Sequence, residues 1–299
     1  MSAKQLHQVL VPIDFSDTSN LILRQGVRLA AASGATLHVL HVIAESTLKH
    51  FEETHGREAA SQVSAQAQQL LDDCLAKIDV KEVPVKKGIV TGDPAECIGR
   101  EIEESKIDLV VLSAHDSGAK RLGRVAARVV RRAKCKVLIA RDWHAEPFRR
   151  IGVCVDFSDL SADALNVAVR LAKHDGASLE LIHVVYPSDR DYYAYRSDFG
   201  NKSPDDYRKR IYSWLDQRIE TFTKPIVEDL KEIRFKTAIL EAVRPPDAIT
   251  SHLRSNKFDL VVLGTTGHES FFGLRFGSNA ERLVHDTHCS ALAVKPTAD

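Results

Sequence analysis

Apolar residues recur along this chain in two patterns. Short β-branched runs, such as Gln8–Ile13, Thr36–Ile43 and Lys136–Ala140, read as buried strands. Between them lie longer stretches whose apolar residues share one helical face. After Ile13, the residues Asp14, Ser16 and Asp17 offer N-cap chemistry for a helix to about Ala32. Gly34 predicts its end. Residues 55–77 predict one long amphipathic helix and residues 83–87 a weaker strand. Gly92-Asp93-Pro94 opens another helix, with proline just inside its start. Residues 108–112 predict a buried strand, 123–133 a helix, and Lys136–Ala140 a closing strand. Apolar strands separated by helices imply an α/β fold, a parallel sheet covered on both faces. Right-handed crossovers make it doubly wound. Ligands of such sheets sit beyond the carboxyl ends of the strands, at the switch point. The residues after the first and fourth strands are therefore the place to look for chemistry.

The pattern occurs twice. Val-Pro-Ile-Asp-Phe-Ser-Asp at 11–17 returns as Val-Cys-Val-Asp-Phe-Ser-Asp at 153–159, an offset of 142. The same offset carries Gly34 to Gly176 and His41 to His183. Further on, Ile-Asp-Leu-Val-Val-Leu at 107–112 returns as Phe-Asp-Leu-Val-Val-Leu at 258–263, an offset of 151. The second copy thus carries an insertion, assigned to the tyrosine- and aspartate-rich stretch 188–207. Two domains are expected, residues 1–144 and 145–299, with the join near 142–149.

Composition narrows the function. The chain has 299 residues, 44% hydrophobic and 27% charged, with zero formal net charge. That is ordinary for globular protein and gives no global pull toward nucleic acid or an acidic membrane. The N-terminal sequence has no apolar signal-peptide core, and no apolar run reaches membrane-spanning length. Cys74, Cys97, Cys135, Cys154 and Cys289 are odd in number and scattered, which suits reduced thiols and a cytoplasmic location.

The strongest chemical signal follows the fourth strand of the second half. Leu263 leads into Gly264-Thr265-Thr266-Gly267, and Gly277-Ser278-Asn279 opens a helix, fitting Gly-x2-Gly-x9-Gly-Ser. Glycines at 264 and 267 are expected to admit close backbone approach and positive φ. Free amides and the dipole at the start of the following helix favour an anion. The Ser278 hydroxyl adds a donor. Such a loop is suited to phosphate, although glycines that serve only turns would look the same.

Both halves resemble universal stress protein domains over nearly the whole chain. The matching pieces are Val-Asp-Phe-Ser-Asp at the first strand, Leu-Ile-His-Val at the second, Gly264-Thr-Thr-Gly267 with Gly277-Ser278-Asn-Ala-Glu-Arg, and the closing Cys289-Ser-Ala-Leu-Ala-Val-Lys-Pro. The resemblance implies two tandem flavodoxin-like domains of the adenine nucleotide alpha hydrolase-like type, each a five-stranded parallel sheet of order 3-2-1-4-5. It implies ATP, or AMP or ADP, between strands one and four of the C-terminal half; separately, magnesium is a candidate companion of the phosphates, with Asp156 and Ser278 placed to influence it. By position, Asp156 would sit by the adenosine with Cys154 and Val155 beside it. Val184 would line the adenine pocket, and Leu263 and Gly264 would pack on base or sugar. Gly267, Gly277, Ser278 and Asn279 would receive ribose and phosphates. Asp156 also has a second reading, a helix cap or turn residue. The resemblance also implies pairing of the two closing strands within one chain as a pseudo-dimer. A homodimer of the whole chain and an unidentified protein partner stay open.

The first half departs from the motif. Ser113-Ala114-His115-Asp116 replaces the glycine run, Arg124 replaces Ser278, and only Gly123 survives. Ten residues separate Ser113 from Gly123, against thirteen from Gly264 to Gly277. Asp116 would repel phosphate, so this site reads as degenerate. Elsewhere, Arg124, Arg128, Arg131 and Arg132 form a basic stripe that reads as a solvated face pairing with acids. His285, His288 and Cys289 lack a fourth zinc ligand. His41 and His183 read as packing histidines near the strand ends. Tyr192, Tyr193, Tyr195 and Phe199 suggest a lid or a loop packed on its own domain. Three functions follow in order: a nucleotide-binding stress or signalling module, a slow ATPase, and a structural adaptor. The loop 264–278 offers His268 and Arg275 but no Walker lysine.

Overall fold

The computed structural model describes residues 6–80, 82–114, 122–141, 147–186, 204–266 and 276–296. Its strands are β1 (Gln8–Ile13), β2 (Thr36–Ile43), β3 (Val85–Thr91), β4 (Leu109–Ser113), β5 (Lys136–Ala140), β6 (Arg150–Cys154), β7 (Ser178–Val185), β8 (Arg234–Glu241), β9 (Leu260–Gly264) and β10 (Ser290–Val294). They form one ten-stranded sheet in the order β3-β2-β1-β4-β5-β10-β9-β6-β7-β8. Within each half every pairing is parallel, and the order from the far edge is 3-2-1-4-5. The halves join through β5 and β10, which run antiparallel with Leu138 opposite Leu292. The expected pseudo-dimer is therefore a continuous sheet with no open edge at its centre, which removes two strands from edge exposure.

Alternation along the strands builds two cores. Leu109 and Val111 of β4 face one layer, and Val110 and Leu112 face the other. In the second half Leu260 and Val262 match the first set, and Val261 and Leu263 the second. One layer holds α1 (Ser19–Ser33), α3 (Arg57–Ala76), α6 (Asp159–Asp175), α7 (Pro204–Thr223) and α8 (Val227–Lys231). The other holds α4 (Pro94–Glu104), α5 (Arg124–Arg132), α9 (Pro245–Ser255) and α10 (Ser278–Asp286). Among the described residues, no helix is long and apolar enough to cross a membrane.

Three local expectations need correction. The long helix expected at 55–77 is present as α3, Arg57–Ala76, but a helix before it was not expected. A separate helix, α2 (Glu45–His55), ends at Gly56, whose φ of 85 lies outside the helical region, and α3 begins after it. The residues of α2 are all at least partly exposed, so its pattern carried no core-facing stripe. The third strand starts at Val85 and runs to Thr91 rather than ending at 87. Asp14, Ser16 and Asp17 do not cap α1; Thr18 holds the cap position without a side-chain bond. Gly34 does close α1 in the left-handed conformation at φ 63, and Gly176 closes α6 in the same way. Asp93 caps α4 by accepting from the Glu96 amide, with Pro94 first in the helix.

Candidate functional site

The carboxyl ends of β6 and β9 meet because these strands pair directly, Cys154 opposite Leu263. β7 lies on the other side of β6, and the Val155 amide continues that pairing by donating to the Ile182 carbonyl at 3.0 Å. Cys154, Val155, Asp156, Val184, Leu263 and Gly264 are thus gathered at one end of three adjacent strands. The chain returns to this end at residue 277. The Gly277 amide donates to the Thr265 carbonyl at 2.6 Å, pinning the start of α10 beside the end of β9. Gly277 takes the cap position with φ −75 and gives no side-chain cap bond. The first amides of α10, at Ser278 and Asn279, have no acceptor within the helix. Both residues are exposed, whereas Leu263 is buried. Free amides and the positive end of a helix dipole there suit the oxygens of a phosphate.

Asp156 has a definite structural job. One carboxylate oxygen accepts from the Ser158 amide at 3.0 Å and from the Ser158 hydroxyl at 2.5 Å. This turn holds Phe157 at φ 63, a left-handed conformation that a bulky residue seldom adopts. Ser158 in turn caps α6 by accepting from the Ser161 amide. The first half repeats the turn, with Asp14 binding Ser16 and Phe15 at φ 61. Burial pushes the Asp14 carboxyl up, but bonds from Ser16 and Ser19 outweigh it and hold the group below its ordinary range. The turn reading of Asp156 is therefore met, and the repeated Asp-Phe-Ser run encodes it.

His183 packs its ring on Phe157 at 4.6 Å between centroids, and its Nδ1 lies 2.7 Å from the Val155 carbonyl. A carbonyl only accepts, so Nδ1 carries the proton. Burial lowers the His183 pKa, partly offset by that bond and by Asp156. His41 repeats the arrangement with Ile13 and Phe15. Both histidines are satisfied packing residues that brace the turn. Burial pushes the Cys154 thiol up to about 12, which disfavours its thiolate.

The glycines behave differently from expectation. Gly264 sits inside β9, and its φ is not positive. Its constraint is packing: a Cβ there would lie 3.1 Å from Leu160 Cγ and 3.3 Å from Leu160 Cδ2. The equivalent of Leu160 in the first half is Thr18, and Ser113 stands where Gly264 does. Gly277 likewise has ordinary φ, and a Cβ would meet the Thr265 carbonyl at 3.3 Å. Gly267, His268 and Arg275 lie outside the described residues, as do His115, Asp116 and the four aromatic residues at 192–199.

Sequence reasoning passed over Thr265. Its side chain is fully buried, and its hydroxyl oxygen has no hydrogen-bond partner among the described residues. Ala114 occupies that place in the first half, where the Gly123 amide donates to the Ala114 carbonyl at 2.9 Å. The backbone cradle is therefore common to both halves, and the side chains around it differ. Arg218 was also missed. Its guanidinium stacks over Phe157 at 4.9 Å and over Trp214 at 5.1 Å. The insertion shifts α7 out of the simple repeat register, which hid Arg218.

The other constellations resolve as structure. Arg128 pairs with Asp93 at 2.7 Å, Arg131 with Glu281 and Lys134 with Glu103. Two of the four stripe arginines, Arg128 and Arg131, are thus matched by acids, as on a solvated face. Among the described residues, no group of three or more His, Cys, Asp or Glu could hold a metal ion. Thr287 and Cys289 contact each other at 3.2 Å, and burial pushes the Cys289 thiol up to about 11.

Comparisons with known proteins agree with this architecture. Universal stress protein MJ0531 of Methanocaldococcus jannaschii is 29% identical over 150 residues, covering 50% of this chain and 82% of that protein. Universal stress protein YxiE of Bacillus subtilis is 29% identical over 150 residues, covering 45% of this chain and 99% of that protein. The crystal structure of a universal stress protein from Archaeoglobus fulgidus superimposes with a TM-score of 0.71 at 20% identity, covering 98% of this chain and 99% of that one. It supports the fold across both halves. The sequence profile of the universal stress protein family matches twice, at residues 5–141 and 147–295, so the chain belongs to that family as a tandem pair.

Proposed function

We propose that the C-terminal half, residues 145–299, binds an adenine nucleotide, ATP or AMP or ADP, and that the chain works as a stress-response or signalling module. The observation that carries this reading is the uncapped start of α10, tied by the Gly277–Thr265 bond to the strand end that also bears Asp156. Ser278, Asn279, Gly277 and Gly267 would hold ribose and phosphates. Val184, Leu263, Gly264, Cys154 and Val155 would enclose the base and sugar. Asp156 would accept from an adenosine donor while keeping its turn. Magnesium would arrive with the phosphates, since the described carboxylates form no cage of their own. The N-terminal half, residues 1–144, would serve as scaffold, because Arg124 and Ser113 replace Ser278 and Gly264.

A ligand that binds only the folded state raises its stability in proportion to the logarithm of its concentration. Thermal unfolding of the full chain with millimolar ATP should therefore move upward as ATP is raised. Ser278→Glu adds a carboxylate that the helix N-terminus tolerates and a phosphate does not. It should leave the ligand-free melt unchanged and abolish the ATP shift. A melt indifferent to ATP at every concentration would refute the proposal.

A further inference from the structure

The seam between the halves encloses a second cavity, at the amino ends of the central strands and so at the opposite end of the sheet from the proposed nucleotide site. It measures about 380 Å³. Its floor is the β5–β10 pair, and α1 and α6 form its flanks. The lining follows the internal repeat: Leu29 with Leu171, Leu109 with Leu260, and Leu138 with Leu292. Phe148 closes one side. Its amide donates to Asp175 at 2.7 Å, and Arg28 lies over its ring at 5.0 Å while pairing with the same carboxylate.

The polar groups break the repeat. Arg28 and Arg170 are equivalent; Arg28 pairs with Asp175, whose repeat counterpart is the uncharged Ser33, also in the cavity wall. Lys136 stands near Arg170, and its counterpart in β10 is Ser290. Burial and the neighbouring Arg170 lower the Lys136 pKa, while Asp108 and Asp163 raise it. The Asp108 carboxylate already accepts from the His7 and Gln8 amides. Asp163 is exposed on α6. His174, at the rim, contacts Asp175. Among the described residues, Lys136 has no ion-pair partner.

A mostly apolar hollow of this size with a few polar groups at one end is the usual form of a small-molecule site. We propose that it binds a single-chain amphiphile with an anionic head, a fatty carboxylate. The chain lies along the paired leucines, and the carboxylate sits between Lys136 and Arg170. Burying the tail supplies affinity, and the two cations select the head.

Isothermal titration of the full chain with dodecanoate tests this. One saturable site per chain is expected, with dodecanol about tenfold weaker and dodecyltrimethylammonium weaker still. Lys136→Gln should weaken dodecanoate about tenfold and leave dodecanol unchanged. Val167→Phe, which fills the cavity from α6, should weaken both. A variant that melts below the wild type is replaced by Arg170→Gln, which is exposed and carries the same expectation as Lys136→Gln. Equal affinity for dodecanoate and dodecanol, non-saturating uptake, or dodecanoate binding indifferent to the charge variants would each overturn the proposal.

Discussion

Glu180 lies in the first half of β7 with a side chain only 2% exposed, and it meets Arg150, Lys236 and the His252 ring. Its oxygens lie 2.7 Å from His252, 2.8 Å from Lys236 and 3.3 Å from Arg150. Replacing it by glutamine keeps the volume and removes the charge. Breaking a fully buried pair costs about 3–5 kcal/mol, because the surviving charge is stranded. Here the partners are 19%, 58% and 31% exposed and can turn to water. The expected loss for Glu180→Gln at pH 7 is therefore smaller, about 2 kcal/mol. Burial pushes the Glu180 carboxyl up, but bonds from Lys236, His252 and Arg150 outweigh it and hold the group below its ordinary 4.5. A carboxyl with a depressed folded pKa contributes stability above its unfolded pKa and loses it as pH falls through the folded value. The gap between wild type and Glu180→Gln should therefore be full at pH 7 and shrink below about 4.5. Urea unfolding of both proteins from pH 7 down to pH 3.5 measures this directly. The first half uses the same three positions with polarity exchanged: Gln8, His38 and Glu101 stand where Arg150, Glu180 and His252 do. Glu101 is 26% exposed and has one such partner, so Glu101→Gln should cost about 0.5 kcal/mol. A Glu180→Gln loss no larger than that of Glu101→Gln, or one that grows in acid, refutes the reasoning.

Other consequences follow from the site. Gly264→Ala should destabilise by about 1 kcal/mol through Leu160, with Gly264→Ala/Leu160→Ala losing less than the sum of the single changes; additive denaturation energies would exclude that contact. Asp156→Ala should cost about 1–2 kcal/mol by releasing the Phe157 turn, and an unchanged unfolding midpoint would show that the turn holds without it. His183 has a lowered folded pKa, so the protein should lose stability as pH falls below 6.5 toward that lowered value. His183→Gln should flatten this part of the stability curve, and a curve parallel to the wild type contradicts the assignment.

Much of this molecule is legible in its sequence, for identifiable reasons. Short β-branched runs such as Thr36–Ile43 mark buried strands with few alternatives, so β1, β2 and β5 fall where the pattern sets them. The internal repeat fixes the equivalence of the halves, and with it the turn at Asp14 and Asp156. What the pattern misses is set by neighbours distant in the chain. Nothing near Gly264 reveals that Leu160, more than a hundred residues earlier, demands its missing side chain. Helix α2 is hidden because it buries none of its residues and leaves no apolar stripe to read. The cavity at the seam arises from residues of six strands and helices, none of them notable locally. Nothing near Arg28 reveals that its carboxylate partner, Asp175, lies in the other half of the chain.

The number of ATP molecules bound per chain tests the central claim most directly. Equilibrium dialysis of the full chain with labelled ATP, run alongside Ser278→Glu and Arg124→Glu, separates the two helix starts. The account predicts one ATP per chain, lost in Ser278→Glu and kept in Arg124→Glu. Two per chain, or binding that survives Ser278→Glu and vanishes in Arg124→Glu, would contradict it.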